Sequence, residues 1–438
     1  MELKELRNSD TFCVLPWMHL YKNMDNSIKL CCVDKGGPIG SLENNTIEEI
    51  RNSKEFVDLR ESFLKGEKLD RCKECWQWEK NGYRSYRQSN NQDYIEQFPE
   101  EVKADEPIQI TYLDYRPSNL CNLACKICSP RFSSKLIDPW AQLGRISDEE
   151  KSHLTKLNTN RIDVNTVKKY FSDIKYIYFA GGEPLIADDH WDLLKFFHSK
   201  NPGDIRVKYN TNLTKLEFKG MHVKDYWKDF KKIQIGASLD GYGVEFEHLR
   251  TGAKWDQVVF NLEQLKTMAA QVKDSLLQKG MFEGNNRGIE LYCDSTVGWL
   301  NLKSVFKLHK FLVENEYVIL DDNNYNKLLA KPLNFPYGAS LLCTPLELKE
   351  ELLESIEEYR VWAKSVYPFD PTSWMNDLDS LVNFINDSVY REKELTNWLE
   401  ISAFLDDKYK LDTTDAFVFK SESWNKKFKE LYFNKKLL

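Results

Sequence analysis

NLCNLACKICSP, residues 119–130, brings Cys121, Cys125 and Cys128 within eight residues of one another. The segment just before it, ITYLDYR (110–116), has the β-branched and aromatic content of a strand. The three thiols therefore sit in the loop at that strand's C-terminal end. The same punctuation recurs downstream. IKYIYFA (174–180) runs into GGEP, IRVKYN (205–210) into the end of NTN, and KIQIGASL (232–239) into SLDG. IELYCDSTV (289–297) and YVIL (317–320) complete six strand candidates, separated by helical patterns. The clearest helix has Trp255, Val258, Val259, Leu262, Leu265 and Met268 at helical spacing. Strand–helix alternation implies an α/β fold with a parallel, open or closed barrel-like sheet. Ligands of such sheets sit beyond the strands' C-terminal ends, where the cysteine loop, GGEP, NTN and SLDG converge.

Three regions follow: 1–105, with short strands, one helix and five cysteines; 106–343, the alternating sheet; and 344–438, mainly helical. LPWMHLYKN and SIKLCC pair as a hairpin around Asp25-Asn26. A helix is predicted over 47–65, with Thr46 and Glu49 as its capping box and Gly66 as its stop. NGYRSYRQSNNQDY reads as a polar linker. Trp374, Trp398 and Trp424 read as packing residues of the helical region.

The chain has 438 residues, 42% of them apolar, and a net charge of -7. The acidic balance argues against broad electrostatic capture of nucleic acid. No apolar run reaches membrane-spanning length, and the N-terminus lacks a secretory h-region, so the expected location is cytoplasmic. Eight of ten cysteines fall in the first 128 residues. In a large cytosolic chain they read as metal or redox ligands rather than disulfides.

A structural zinc site wants four protein ligands, and the C-x3-C-x2-C loop supplies three. Either a distant Cys or His completes a zinc site, or three thiolates hold a 4Fe–4S cluster with one iron open to a ligand. Gly181 and Gly182 allow close backbone approach, and Glu183, before Pro184, offers a carboxylate to an ammonium group. With the cysteine loop one strand earlier, GGEP fits a cofactor carrying both amino and carboxylate groups.

Over residues 108–340 the sequence resembles the radical S-adenosylmethionine (SAM) enzymes, which combine a C-x3-C-x2-C loop after the first barrel strand with a GGE-type motif after the second. The resemblance implies a partial (β/α)6 barrel in which Cys121, Cys125 and Cys128 ligate a 4Fe–4S cluster. By the same resemblance the open iron would chelate SAM, and one electron would cleave it to methionine and a 5′-deoxyadenosyl radical that would abstract hydrogen from a substrate. An external electron donor such as flavodoxin or ferredoxin is implied too. Ser238, Asp240 and Arg250 match a pattern common in the superfamily, with Ser238 and Arg250 expected on the SAM carboxylate. The competing reading of Arg250 is a surface ion pair. Asn212 and Asn301 are further candidates for polar contacts to SAM. Ile127 stands where many relatives place an aromatic residue against adenine, so apolar contact alone is expected there.

Cys13, the pair Cys31-Cys32, and Cys72-x2-Cys75 form a second ligand set, able to close either a 4Fe–4S cluster or a zinc site. FCVLPW, IKLCC, PIGSL, TIEEI and CKECW resemble a twitch module, the short form of the SPASM module, which implies one auxiliary cluster. Twitch modules commonly follow the barrel, whereas this one precedes it. Side chains of Cys31 and Cys32 point to opposite sides of a strand. Cys31 is favoured at the family's spacing, with Cys32 as the alternative ligand, a spare thiol or a packed core residue. Cys293 and Cys343 read as small buried hydrophobes, with hydrogen donation to a radical as the other reading of Cys293 and completion of a cluster as the other reading of Cys343.

The leading expectation is a radical SAM enzyme acting on a peptide or protein side chain, for oxidation or crosslinking. A small-molecule substrate such as a sugar or nucleoside is the alternative. A zinc-stabilised interaction protein is the reading from another class, and nucleic-acid modification is disfavoured by charge. Oligomeric state is not legible.

Overall fold

In the computed structural model the described residues are 1–80, 84–159, 165, 168–278, 287–317, 329–366 and 372–436. They form a mixed α/β structure with a mostly parallel sheet and a helical C-terminal region. Two compact units emerge: Met1–Ser118, Thr159–Lys208 and Asp229–Lys232 make the first, and Asn119–Asn158, Tyr209–Lys228 and Ile233–Leu438 the second.

In the first unit β1 (His19–Lys22), β2 (Ser27–Lys29), β3 (Gly40–Ser41), β4 (Tyr112–Tyr115) and β5 (Tyr176–Phe179) lie in the order β5-β4-β1-β2-β3. The predicted N-terminal hairpin is present but shorter, with Tyr21 opposite Lys29 and Asn26 at φ 61° in its turn, while Leu15–Met18 is a short helix and β2 ends before Cys31. Its surroundings were not predicted: β1 also runs parallel to β4, with Leu20 opposite Leu113, as β5 does on the other side with Ile177 opposite Leu113. The cysteine-rich module therefore extends the sheet from the first strand of the alternating region. Lys22 ends β1 fully buried, its ammonium donating to the carbonyls of Arg116 (3.0 Å) and Pro117 (3.3 Å) just past β4.

Two other expectations are corrected. The helix expected over 47–65 is two helices, Ile47–Arg51 and Lys54–Leu64. The Thr46/Glu49 capping box starts the first, and Ser53, accepting the Phe56 N–H, restarts the second. The expected linker contains a helix, Tyr86–Tyr94. Ser85 and Gln88 make a reciprocal capping box there, and Tyr94 packs on Tyr112 and Tyr176. Asn81, Gly82 and Tyr83 lie outside the described residues.

β6 (Arg206–Thr211) begins in the first unit, followed by the small hairpin of β7 (Glu217–Phe218) and β8 (Met221–His222). The second unit holds the order β11-β10-β9-β6, with β9 at Lys232–Ala237, β10 at Gly288–Val297 and β11 at Leu329–Pro332. β10 and β11 are parallel, Thr296 opposite Lys331. The predicted sixth strand, YVIL, falls on residues of which 318–320 lie outside the described ones. The strand beside β10 is instead LAKP, whose proline ends it at the sheet edge.

The helix Trp255–Gln278 follows the predicted periodicity. Helices Lys349–Val366, Thr372–Asn386, Glu392–Tyr409 and Glu422–Lys436 close the second unit. Their core centres on Trp299, whose ring lies 5.8–6.4 Å from those of Trp398, Trp424, Phe419 and Phe428. Trp398 and Trp424 are thus packing residues, while the side chain of Trp374 lies outside the described ones. Among the described residues no helix is long and apolar enough to cross a membrane.

Candidate metal centres

The 119–130 loop is folded by its own polar side chains. Asn119 donates through Nδ2 to the carbonyls of Pro130 (3.2 Å) and Leu154 (2.9 Å). Ser133 Oγ donates to Leu123 O at 2.6 Å, and the Cys128 N–H to Cys125 O at 3.1 Å. Outside the loop, the Ala124 and Lys126 N–H groups donate to the carbonyls of Thr251 (2.9 Å) and Leu249 (2.8 Å), flanking Arg250. Cys121 and Cys125 are buried and Cys128 half-buried. Burial pushes the Cys125 and Cys128 thiols up to about 12. Arg250 pulls both down, and a neighbouring thiol pushes each up: Cys128 acts on Cys125, and Cys121 on Cys128. Three thiols and a guanidinium thus share one electrostatic environment.

Arg250 is not a surface ion pair. Its side chain is 14% exposed, and it grips the fully buried Asp240 through Nε (2.7 Å) and Nη2 (2.6 Å). The other oxygen of Asp240 accepts the Thr296 N–H at 2.8 Å. Burial pushes the Asp240 carboxyl up against the pull of both donors. Asn301 brackets the same turn: Nδ2 donates to Asp240 O (2.8 Å) and Thr296 O (2.9 Å), and Oδ1 accepts the Gly298 N–H (2.8 Å). Its amide protons are committed to backbone, so Asn301 holds the SLDG turn to the end of β10. Asn212 lies against the loop, Nδ2 donating to Asn122 Oδ1 at 3.0 Å with Cys121 Sγ at 3.9 Å. Ser238 is half-buried, its N–H on Thr211 O.

GGEP belongs to the first unit. Gly181 has φ 123°, and a Cβ there would stand 3.0 Å from Ser118 O, so only glycine fits. The Gly182 N–H donates to the same carbonyl at 2.9 Å. Glu183 is buried, with Oε1 accepting the Leu185 N–H at 3.2 Å, and Pro184 opens the short helical turn that follows.

A separate cavity in the first unit is lined by Cys13, Cys31, Cys72 and Cys75, with Leu15, Leu30, Val33 and Phe63 as apolar walls. Cys32 is not among its lining residues: its thiol lies with Asp114, Arg116 and Tyr86. The donor set fits an iron–sulfur cluster. Thiols are soft ligands, and N–H groups are aimed at the sulfurs from Leu15 to Cys13, Val33 to Cys31 and Arg87 to Cys75. Burial is the largest influence on all four and pushes them up, Cys72 to about 12. Among the described residues no three His, Cys, Asp or Glu side chains gather tightly enough to hold a single ion.

Cys293 is buried against Ser295 Oγ (3.3 Å) and Leu239 O (3.7 Å), and Cys343 against Arg391 O (3.6 Å). His190 is buried in the core, while His198 pairs with Asp229 at the surface. Sequence reasoning missed Asn122 and Lys126. The second left a signal, since a lysine between two cysteines of an apolar loop has to be neutralised somewhere.

Residues 115–275 match the Radical SAM superfamily and residues 13–76 an iron–sulfur cluster-binding domain, SPASM. No curated protein matches the chain. Among solved structures, SuiB of Streptococcus suis bound to S-adenosylmethionine aligns at 15% identity and a TM-score of 0.31, covering 72% of this chain and 62% of SuiB. SuiB bound to its precursor peptide SuiA aligns at 14% identity and a TM-score of 0.31, covering 70% and 60%. The chain thus spans about six-tenths of the length of SuiB.

Proposed function

From the match of residues 115–275 to the Radical SAM superfamily and of residues 13–76, ahead of it, to SPASM, we propose that the chain is a radical SAM enzyme that oxidises or crosslinks a peptide or protein side chain after hydrogen abstraction. The observation that carries the oxidative part is the cavity lined by four thiols. Four protein ligands saturate a cluster and favour electron transfer over substrate ligation. The peptide class is supported by the twitch-like motifs of residues 12–76, for which peptide modification is the commonest implication.

When bound, the cluster of the 119–130 loop and SAM supply the one-electron cleavage that generates the abstracting radical. The chain's own residues have the remaining tasks. Cys121, Cys125 and Cys128 hold the cluster. Arg250 keeps three of its five N–H groups for a carboxylate while Asp240 fixes its plane. Ser238 adds a hydroxyl, and Asn301 holds the turn that carries Asp240. Within the first unit, Gly181 and Gly182 would let a ligand approach the backbone, and Glu183 would offer its carboxylate to an ammonium group. Asn212 orients Asn122 beside Cys121. Cys13, Cys31, Cys72 and Cys75 would hold the auxiliary cluster, and the chemistry it would supply when bound is electron transfer.

The test is anaerobic reconstitution, addition of SAM and a strong reductant, and measurement of 5′-deoxyadenosine. Candidate peptides are then scored for products that have lost two hydrogens. Zinc instead of iron in the purified chain would defeat the reading. Turnover confined to a sugar or nucleoside would replace the substrate class and keep the chemistry.

A further inference from the structure

Within the second unit the C-terminal helices reach a charged group inside the cysteine loop. Lys126, between Cys125 and Ile127, is fully buried and pairs with the equally buried Asp406 of the helix Glu392–Tyr409. Its ammonium also donates to Thr413 Oγ1 at 2.7 Å. The second oxygen of Asp406 accepts the Thr413 N–H (3.0 Å), the Thr413 hydroxyl (2.7 Å) and the Tyr432 hydroxyl (2.5 Å). Trp398 Nε1 donates to Lys126 O at 3.0 Å, and the Lys126 N–H is on Leu249 O. Every polar group of this one residue is thus engaged, on one side by the segment flanking Arg250 and on the other by the C-terminal helices.

Burying such a pair is a poor way to gain stability, because desolvation of both charges offsets their attraction and apolar side chains of equal volume do as well or better. What a buried, multiply hydrogen-bonded pair does supply is a single geometry. Lys126 is bonded to Cys125 and two positions before Cys128, so fixing its side chain fixes the backbone from which both thiols project. We propose that Lys126–Asp406 is a positioning pair, through which the C-terminal helices set the spacing of Cys125 and Cys128. The role is distinct from ligation or SAM contact, and it rests on the reading of that loop as a cluster site.

The test compares three full-length chains: parent, Asp406→Asn, and the double variant Lys126→Met/Asp406→Asn. The first variant strands a buried ammonium and risks the fold; the second removes both charges and keeps an amide oxygen as acceptor for Thr413 and Tyr432, which preserves it. In cluster-free protein the alkylation rates of Cys125 and Cys128 are followed by mass spectrometry, with buried Cys293 as internal control. The reconstituted chains are then compared by iron content and by the change that SAM produces in the reduced cluster's EPR spectrum. We expect the double variant to unfold with the parent's cooperativity, to alkylate Cys125 and Cys128 about tenfold faster with Cys293 unchanged, as local opening predicts, and to lose the SAM-dependent spectral change. Unchanged labelling and an unchanged EPR response would overturn the proposal and leave the pair as core packing. Faster labelling of Cys125 and Cys128 in a chain whose parent takes up no iron would sink the cluster reading and keep the positioning pair.

Discussion

The three thiols of the 119–130 loop come from one stretch that is braced by its own asparagine and serine side chains. The four thiols of the N-terminal cavity come from three stretches: the start of the chain, the end of the β1–β2 hairpin, and the Cys72–Cys75 turn. Their polar surroundings differ as well. Arg250, gripping Asp240, stands by the first set, whereas Arg87, paired with Glu79, and Asp34, paired with Arg71, line the second among apolar walls. A site that must receive a charged ligand needs a fixed cation and an open metal position. Three thiolates leave one position of a 4Fe–4S cluster open, and four close it.

The largest effect should separate the two sets outright. Changing Cys121, Cys125 and Cys128 together to Ala should abolish 5′-deoxyadenosine formation, a loss of at least about a thousandfold. Roughly half of the iron should remain if the N-terminal cavity loads by itself. Retained cleavage would end the assignment of the loop. Changing Cys72 and Cys75 to Ala should do the reverse: iron falls by about four per chain, cleavage of SAM without substrate stays within about tenfold, and oxidised product disappears. Product formation at the parent's rate would show that electrons leave by another route.

Arg250→Met comes next. It strands Asp240, and removal of one partner from a buried pair costs about 3–5 kcal/mol. Denaturant unfolding of the cluster-free chain measures this. Adding Asp240→Asn should recover most of the stability and none of the SAM binding, which would divide Arg250's structural task from its ligand task. If the double variant binds SAM as the parent does, Arg250 acts only on Asp240.

How much of this was legible depended on how local the determinants are. The cysteine loop, GGEP and SLDG stood out because each is a short run whose residue types carry the chemistry. So did the Thr46/Glu49 capping box, which needs only four consecutive residues. The pairing of β1 with β4 did not, since nothing in HLYK names its partner and ninety residues separate the strands. The helix at Tyr86–Tyr94 was hidden because its polar composition outweighed its capping box; it is held by tyrosine contacts made far away in sequence. The tie between Lys126 and Asp406 spans 280 positions and has no periodic signature.

A smaller effect is expected from acid. His19 and His190, both in the first unit, are held down to about 3 by burial, against a usual value of 6.5. In the unfolded chain they take up protons below 6.5 while the folded rings stay neutral. Their contribution is therefore present above 6.5 and is lost as pH falls toward 3, each ring steepening the loss by roughly 1.4 kcal/mol per pH unit. In the second unit burial is the largest influence on His248 and lowers it as well. Cluster-free chain unfolded by urea between pH 7 and 4 should lose stability with a slope that His190→Phe reduces by about one ring's share. A slope unchanged by that substitution would mean the acid-sensitive groups lie elsewhere.

The smallest effect is the most discriminating for the N-terminal set, because it falls on adjacent residues. Cys31 lines the four-thiol cavity, and Cys32, one position on, has its thiol with Asp114, Arg116 and Tyr86. Cys32→Ser keeps a donor for the Asp114 carboxylate, so stability should change by no more than about 1 kcal/mol and iron content not at all. Cys31→Ser removes one of four soft ligands and should leave the auxiliary iron loosely held or lost, with the 119–130 loop's cluster unaffected. If iron falls with Cys32→Ser and survives Cys31→Ser, Cys32 is the fourth ligand and the turn after β2 faces the other way. The comparison of a saturated site with an open one would then have to be redrawn around Cys32.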